Sequence, residues 1–175
     1  MPRKTPRPAQ PLDSASLERA ALDYAARYAT TRARLAAYLR RKLRERGWAG
    51  DGAPPVDALI AHFAERGYVD DRAFASARAD ALLRRGYGAR RIGTALQAAG
   101  IDAATAGDLG ERIAAEAEAA ALRFARRKRI GPFADRPADS AQKRRWIATM
   151  ARAGHPIELV LRLIETSIDE IEFET

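Results

Sequence analysis

The sequence predicts an all-α protein, and three observations support that prediction. Hydrophobic residues make up 47% of the chain and charged residues 31%, and alanine is frequent whereas β-branched residues are sparse, a mixture that favours helices. Apolar positions recur at helical spacing throughout. Gly47, Gly100 and Gly154 end helical segments at nearly equal intervals. A period of roughly 50 residues predicts three tandem three-helix repeats that stack into an elongated, curved array.

The first repeat is predicted over residues 14–69, after a disordered basic tail at residues 1–13. Its three helices are expected to run to about Ala29, to Gly47 and to Gly67, because a glycine there can close a helix. Side-chain caps and prolines mark where these helices begin. The candidate starts are, in chain order, Ser14 or Ser16, Thr30 or Thr31, and Pro54 with Pro55.

The second repeat is predicted over residues 70–113 and the third over residues 114–165, before an acidic tail at residues 166–175. A long alanine-rich helix from about Glu111 to Arg129 is expected to precede a loop at residues 130–139, which contains two prolines. The candidate helix starts in these repeats are Asp70 or Asp71, Asp102, Asp139 or Ser140, and Pro156. Tyr68, Phe74 and Ile92 are expected to pack between repeats.

The charge of the chain predicts a polyanionic partner. The net charge is +8 at pH 7, and the residues from Glu165 onward contain acids but no lysine or arginine. The rest of the chain is therefore more basic than the total indicates. Such a surface should attract nucleic acid or an acidic protein surface.

No recognisable catalytic or cofactor motif is present, so the sequence predicts a binding protein that is not an enzyme and needs no cofactor. The chain has no cysteine, which excludes disulfides, thiolate metal sites and cysteine nucleophiles. It contains neither GxxxxGK[ST] nor a strand-borne GxGxxG. His62 and His155 are the only histidines, and His155 precedes Pro156 at a plausible capping position. No apolar run reaches the roughly 18 residues of a membrane helix, so a cytoplasmic, membrane-free protein is expected.

Clusters of basic residues are the candidate binding sites. Each cluster alone is explained as the solvated face of an amphipathic helix. Their recurrence on or near the second helices of the repeats indicates one basic stripe along the array, and arginine suits bidentate contacts with phosphate or carboxylate. The clusters also include Arg123 and residues 126–129. The candidate contact residues are Arg40, Arg41, Arg84, Arg85, Arg90, Arg91, Arg144 and Arg145.

The middle of the chain resembles a known family. The runs RGYVDDRAFA at residues 66–75 and RGYGARRI at residues 85–92, followed by Leu96 and Gly100-Ile101, strongly resemble the RecX family of bacterial regulators of the RecA recombinase. The resemblance extends over roughly residues 20–165. The opening segment, Ala20–Trp48, is similar to the family's first repeat, and the segment from Arg129 to Ile164 is similar to its more divergent third repeat.

The resemblance implies a partner and an activity. RecX proteins are built from tandem three-helix repeats without a catalytic centre. They bind RecA and its filament on single-stranded DNA, in the filament groove or at the growing end. The resemblance thus implies inhibition of RecA ATPase, strand-exchange and coprotease activities, and a role in DNA repair, homologous recombination and the SOS response. Weak direct DNA binding and a monomeric state are expected.

Two other functions remain open from the residues. The chain could be an independent, sequence-nonspecific DNA-binding helical protein, since three-helix units can place a helix in the major groove. It could also be a protein scaffold whose basic stripe meets only an acidic partner. Dependence on salt, and the choice between bare DNA and filament, would separate these readings.

Overall fold

The computed structural model describes residues 10–166, and over that range the chain is helical apart from turns, loops and one isolated β-bridge. This confirms the predicted all-α class. The chain divides into two compact units, one ending at Phe74 and one beginning at Ala75. The predicted repeat boundaries at 69/70 and 113/114 stay predictions, as do the parts of the two tails at residues 1–9 and 167–175, which lie outside the described residues.

Unit 1, the part up to Phe74, surrounds one hydrophobic core. Its elements are α1 (Ser14–Arg27), α2 (Arg32–Arg46), α3 (Val56–Glu65) and the first turn of α4 (Asp71–Arg84). Helix α2 packs on both α1 and α3. The large apolar side chains that the helical period assigned to the inner faces are buried there: Leu17, Leu35, Leu39, Ile60 and Phe63.

Two helix ends in unit 1 have the caps that were predicted from the sequence, and one has a different cap. Thr31 caps α2 by accepting a hydrogen bond from the Arg34 amide, and Gly47 closes that helix at φ +82°. Helix α1 is capped by Asp13, not by Ser14 or Ser16. The Asp13 carboxylate accepts from the Ser16 amide, and the Ser16 hydroxyl accepts from the Asp13 amide. In this reciprocal capping box, the amides of both Asp13 and Ser16 have a side-chain hydrogen-bond acceptor.

Residues 10–13, predicted to belong to a disordered tail, are ordered. Leu12 is buried, its amide donates to the Gly47 carbonyl, and its carbonyl accepts from the Ala49 amide. This bridge beside Trp48 covers the end of α2. The prediction was wrong at this point because local composition does not reveal a pairing with residues more than thirty positions away.

Asp70 and Asp71 have different roles at the start of α4. Asp70 is the cap, since its carboxylate accepts from the Ala73 amide. Asp71 is buried, accepts from the Arg32 amide at 2.9 Å and lies 3.5 Å from the Arg32 guanidinium. Tyr68 nearby is half exposed, and its ring is tilted against that of Phe63 with 5.3 Å between the centroids; its expected packing between repeats stays a prediction.

Unit 2, the part from Ala75 onward, contains the rest of α4 and six further α-helices within the described residues. They are α5 (Ala89–Gln97), α6 (Ala103–Gly107), α7 (Gly110–Ala115), α8 (Ala117–Lys128), α9 (Ser140–Arg152) and α10 (Ile157–Glu165), with a 3₁₀ turn at Gly131–Phe133. Asp102 and Asp139 cap α6 and α9 as predicted. Helices α8, α9 and α10 pack around Phe124, Ile130, Met150 and Val160.

The predicted helices between residues 102 and 129 are broken into three short ones. Breaks fall at Asp108–Leu109 and at Glu116, so the predicted long helix from about Glu111 to Arg129 is wrong. Gly107 and Gly110 flank the first break, and glycine lowers helix stability there. The second break has no glycine or proline, and nothing in the local sequence explains it.

Candidate polyanion-binding groove

The turn between α4 and α5 is fixed by close backbone packing. Gly86 has φ +73°, and a Cβ there would lie 2.8 Å from the Phe124 amide nitrogen on α8. Gly88 faces the end of α9, where a Cβ would overlap the Gly154 carbonyl. Both glycines are therefore required by space. The backbone of Tyr87 lies between these two close contacts, and its amide donates to the Leu82 carbonyl at 3.0 Å.

The same turn connects the start of α5 to the end of α9. The Gly88 amide donates to the Ala153 carbonyl at 3.0 Å and the Arg90 amide to the Gly154 carbonyl at 3.3 Å. The Arg90 guanidinium donates to the Ala151 carbonyl. Amides at a helix start and carbonyls at a helix end lack partners within their own helices. Here the two ends satisfy each other, and Arg90 serves as a cap for α9.

His155 supports the turn from inside unit 2. It is 3% exposed, and its Nε2 lies 3.1 Å from the Gly86 carbonyl. Burial lowers the pKa of this imidazole, and the hydrogen bond with Gly86 opposes that effect only in part. The sequence placed His155 at a capping position. The structure instead places it in the interior, where the neutral form donates from Nε2 to the carbonyl.

An open groove of about 570 Å³ lies beside this turn. Its walls come from the turn with α5, from α8 and from α9. We call it the basic groove, because five of its side chains are cationic and none is acidic. The lining residues are Arg85, Tyr87, Arg91, Phe124, Arg127, Lys128, Thr149, Arg152 and Ala153.

Aromatic rings hold three of the arginines in the basic groove. The guanidinium carbons of Arg85 and Arg91 lie 5.4 and 5.9 Å from the centroid of the Tyr87 ring. The guanidinium carbon of Arg127 lies 5.1 Å from the centroid of Phe124. Such cation–π contacts are worth about 0.5–1 kcal/mol each at exposed sites. They reduce the conformational freedom of the arginines without neutralising their charge.

Only two of the eight predicted contact residues line the basic groove, namely Arg85 and Arg91. Arg84 lines a different depression, where Arg112 pairs with Asp80 and Arg123 with Glu116. Arg90 is the α9 cap described above. Arg144 and Arg145 are exposed on α9, with Arg145 one turn before Thr149 on the same face.

Arg40 and Arg41, the predicted contacts of unit 1, have acidic partners. Arg40 lies 2.8 Å from Asp57, and Arg41 lies 3.8 Å from Glu45. Arg41 also stands over the ring of Tyr38 at 5.7 Å. It contributes to a depression of about 380 Å³ lined by three tyrosines, two arginines and one acid: Asp23, Tyr24, Arg27, Tyr28, Tyr38 and Arg41. We call it the tyrosine pocket.

The other seven residues that line the basic groove were not among the predicted contacts, and three of them are cationic. Arg127 and Lys128 belong to a basic cluster that the sequence shows, but Arg152 stands alone in the sequence. Tyr87 carried a usable signal, since it lies between two arginine pairs in RRGYGARR. An aromatic residue among closely spaced arginines is a pattern found in nucleic-acid-binding surfaces.

Within residues 10–166, no helix is long and apolar enough to cross a membrane. In the same part of the chain, no group of three or more histidine, cysteine or carboxylate side chains is placed to hold a metal ion.

Comparison with known proteins identifies the family. The family model for the second three-helix domain of RecX matches residues 70–108, the segment that contains α4, α5 and the turn with Tyr87. The regulatory protein RecX of Myxococcus xanthus is 32% identical over 162 residues, which is 86% of this chain and 85% of that protein.

Two solved structures have the same fold. A crystal structure of RecX from Lactobacillus salivarius superposes with a TM-score of 0.66 at 17% identity, covering 91% of this chain and 97% of that one. A crystal structure described as regulatory protein RecX gives a TM-score of 0.62 at 18% identity, covering 87% and 73%. With the extended identity to the Myxococcus relative and the match to the RecX domain model, these likenesses show that the chain belongs to the RecX family.

Proposed function

We propose that this chain is a regulator of RecA: it binds RecA and the RecA filament on single-stranded DNA and lowers the ATPase, strand-exchange and coprotease activities of the recombinase. The observation that supports this proposal most is the 32% identity over 86% of the chain to a protein named as a RecX regulatory protein. A cytoplasmic monomer without catalytic activity or cofactor, acting in DNA repair, homologous recombination and the SOS response, is part of the proposal.

The basic groove fits this function physically. A RecA filament on single-stranded DNA presents a polyanion, and five cations without an acidic neighbour form a surface that attracts one. Arg40, Arg41, Arg84, Arg90, Arg144 and Arg145 remain proposed contacts, but with less support than Arg85 and Arg91. Arg40 and Arg41 are paired with acids, and Arg90 donates to the Ala151 carbonyl. Arg84 lies in a depression that also contains Asp80 and Glu116.

The test is the ATPase of RecA on single-stranded DNA, with the protein titrated in at low and at moderate salt. Inhibition at amounts well below one molecule per RecA is expected, because a regulator at a filament end or groove acts on many subunits. The coprotease and strand-exchange activities should fall over the same range. An ATPase unchanged even by equimolar protein would contradict the proposal.

A second candidate function is sequence-independent DNA binding without RecA, and the basic groove favours it. In that case binding to bare DNA would be tight and would weaken steeply with salt, whereas the RecA ATPase would fall only when the DNA itself is covered. Binding to bare DNA, measured beside the ATPase titration, therefore separates the two functions.

A further inference from the structure

We propose that the basic groove seats the phosphodiester backbone of single-stranded nucleic acid, and that Tyr87 is the positioning residue that presents Arg85 and Arg91 to consecutive phosphates. This inference deepens the proposed function and rests on it for the biological source of the strand, the DNA within the RecA filament. It assigns a ligand class to a specific set of residues.

The cations of the basic groove have no acidic partner among residues 10–166. Among the described residues, Arg85, Arg91, Arg127 and Lys128 form no ion pair, and Arg152 donates only to the Thr149 hydroxyl on its own helix. In the neighbouring depression of unit 2, by contrast, two of the three arginines are paired, Arg112 with Asp80 and Arg123 with Glu116. Helix C-termini favour cations, which accounts for some of these residues at the ends of α4, α8 and α9. Five cations around one groove still repel one another until an anion enters.

Tyr87 prepares two of these cations for phosphate. A guanidinium that lies over a ring uses its flat face, so its N–H donors at the edge remain available for bidentate contact with phosphate oxygens. Because Tyr87 is fixed between Gly86 and Gly88, the two guanidiniums start close to the binding geometry. Less side-chain freedom is then lost on binding.

The residues that line the basic groove favour contact with the phosphate backbone of a nucleic acid, without recognition of its base sequence. The ring of Tyr87 already bears the Arg85 and Arg91 guanidiniums, so it is not offered to a base for stacking. No asparagine or glutamine lines the basic groove, and these are the usual residues that read base edges beside arginine. Its cations come from the turn with α5, from α8 and from α9, and an extended chain of regularly spaced phosphates can reach all three.

The experiment measures binding of the full chain to a fluorescent oligo(dT) by anisotropy across a series of salt concentrations. Arg85→Ala/Arg91→Ala is compared with Arg78→Ala/Arg162→Ala, which removes the same charge from two exposed helical positions of unit 2 outside the basic groove. Each phosphate contact contributes about 0.7 to the slope of log K against log salt for single strands. The groove variant should lower the slope by about 1.4, and the control should leave it within experimental error.

Tyr87→Leu tests the positioning role without changing the charge. It should weaken oligo(dT) binding severalfold, whereas Tyr87→Phe, which keeps the ring, should bind like the parent chain. Tyr87 also packs near Phe124, so the fold of the Leu variant is checked by thermal unfolding. If it unfolds, Arg85→Lys/Arg91→Lys replaces it, because lysine keeps the charge but lacks the planar group. The lysine variant should then show the same severalfold loss.

Three outcomes would overturn the proposal. They are equal salt slopes for the groove and control variants, absence of oligo(dT) binding by the parent chain at low salt, and displacement of oligo(dT) by polyglutamate more effectively than by unlabelled oligo(dT). The last would identify the ligand as an acidic protein. A chain that binds oligo(dT) through the basic groove but leaves the RecA ATPase unchanged would contradict the proposed function alone. A fourth outcome, equal inhibition of RecA by the parent chain and by Arg85→Ala/Arg91→Ala, would overturn the proposed role of the basic groove and leave the proposed function in place.

Discussion

The tyrosine pocket of unit 1 and the basic groove of unit 2 combine the same two residue types but differ in charge. Both place arginines over tyrosine rings. In unit 1 three nearby cations have acidic partners, Arg40 with Asp57 and Arg41 and Lys42 with Glu45, and the tyrosine pocket itself contains Asp23. In unit 2 the groove lining contains no acid. Both regions contain clustered arginines, but only the structure shows which of these arginines have acidic partners.

The tyrosine rings of the two regions also make different contacts. In unit 1, Tyr24 and Tyr38 stack on each other at 4.2 Å between centroids, and Tyr28 remains exposed beside them. In unit 2, Tyr87 is fixed by backbone contacts and bears two guanidiniums. Aromatic residues among arginines therefore support the local packing of unit 1 and the presentation of charge in unit 2.

The largest expected effect comes from Gly88→Val. A side chain at this position must displace the Gly154 and His155 backbone, and overpacking of this kind costs about 1–3 kcal/mol. Unit 2 should lose stability while unit 1 keeps it. Each unit has one tryptophan, Trp48 or Trp146, so variants that retain only one of them report urea unfolding of each unit by fluorescence.

Gly93→Ala is the control for that experiment. Nothing lies within 4 Å of a Cβ at Gly93, and alanine is better than glycine in a helix by up to about 1 kcal/mol. This variant should raise the midpoint reported by Trp146. A Gly88→Val protein with an unchanged midpoint would show that the close contact between the turn and α9 is not needed.

A smaller effect is expected from Glu45→Gln/Asp57→Asn, which removes the acids paired with Arg40, Arg41 and Lys42. If acidic partners are what distinguish unit 1 from unit 2, the affinity for oligo(dT) at low salt should rise a fewfold, because these three cations become available to phosphate. Glu18→Gln/Glu65→Gln, which removes two exposed acids that have no described ion pair, is the matched control. Equal gains from both double variants would show that net charge alone matters.

The smallest expected effect is on the pH dependence of stability and comes from His155. Burial holds its pKa below the ordinary value near 6.5. The unfolded chain therefore binds a proton at a pH where the folded chain does not. Stability from the neutral imidazole is complete above the ordinary pKa and is lost as the pH falls through the lower folded pKa. The Trp146 midpoint should fall over that range.

His155→Gln removes the group that titrates and retains a side-chain donor for the Gly86 carbonyl. The pH dependence of the Trp146 midpoint should therefore become weaker in this variant. The same pH dependence in both proteins would assign the effect to other groups.

The features of this molecule that could be predicted from the sequence are those set by neighbouring residues. Thr31, Asp102 and Asp139 cap their helices through contacts three residues away, and the spacing of the apolar residues identifies the buried faces. Burial of Leu12 and the roles of Asp71 and His155 depend on partners 35 or more positions distant. Local patterns contain no information about such pairs.

The candidate site follows the same rule. Arg85 and Arg91, which line the basic groove, could be proposed from the sequence because they lie close together around Tyr87. Arg152 reaches the same groove through the docking of α9, and no pattern around it distinguishes it from other surface arginines. The pairing of Arg40 could not be predicted from the sequence, because Asp57 lies 17 positions away, beyond the helix in which the basic cluster was recognised.

The exchange of hydrogen bonds between the start of α5 and the end of α9 has a consequence for motion. Opening the basic groove by moving α9 away from the α4–α5 turn would break the hydrogen bonds of the Gly88 and Arg90 amides with the Ala153 and Gly154 carbonyls at once, and each amide would need a new partner. The groove should therefore keep its width on the timescale of ligand exchange. The Gly88 and Arg90 amides should exchange with solvent deuterium only when the whole of unit 2 unfolds.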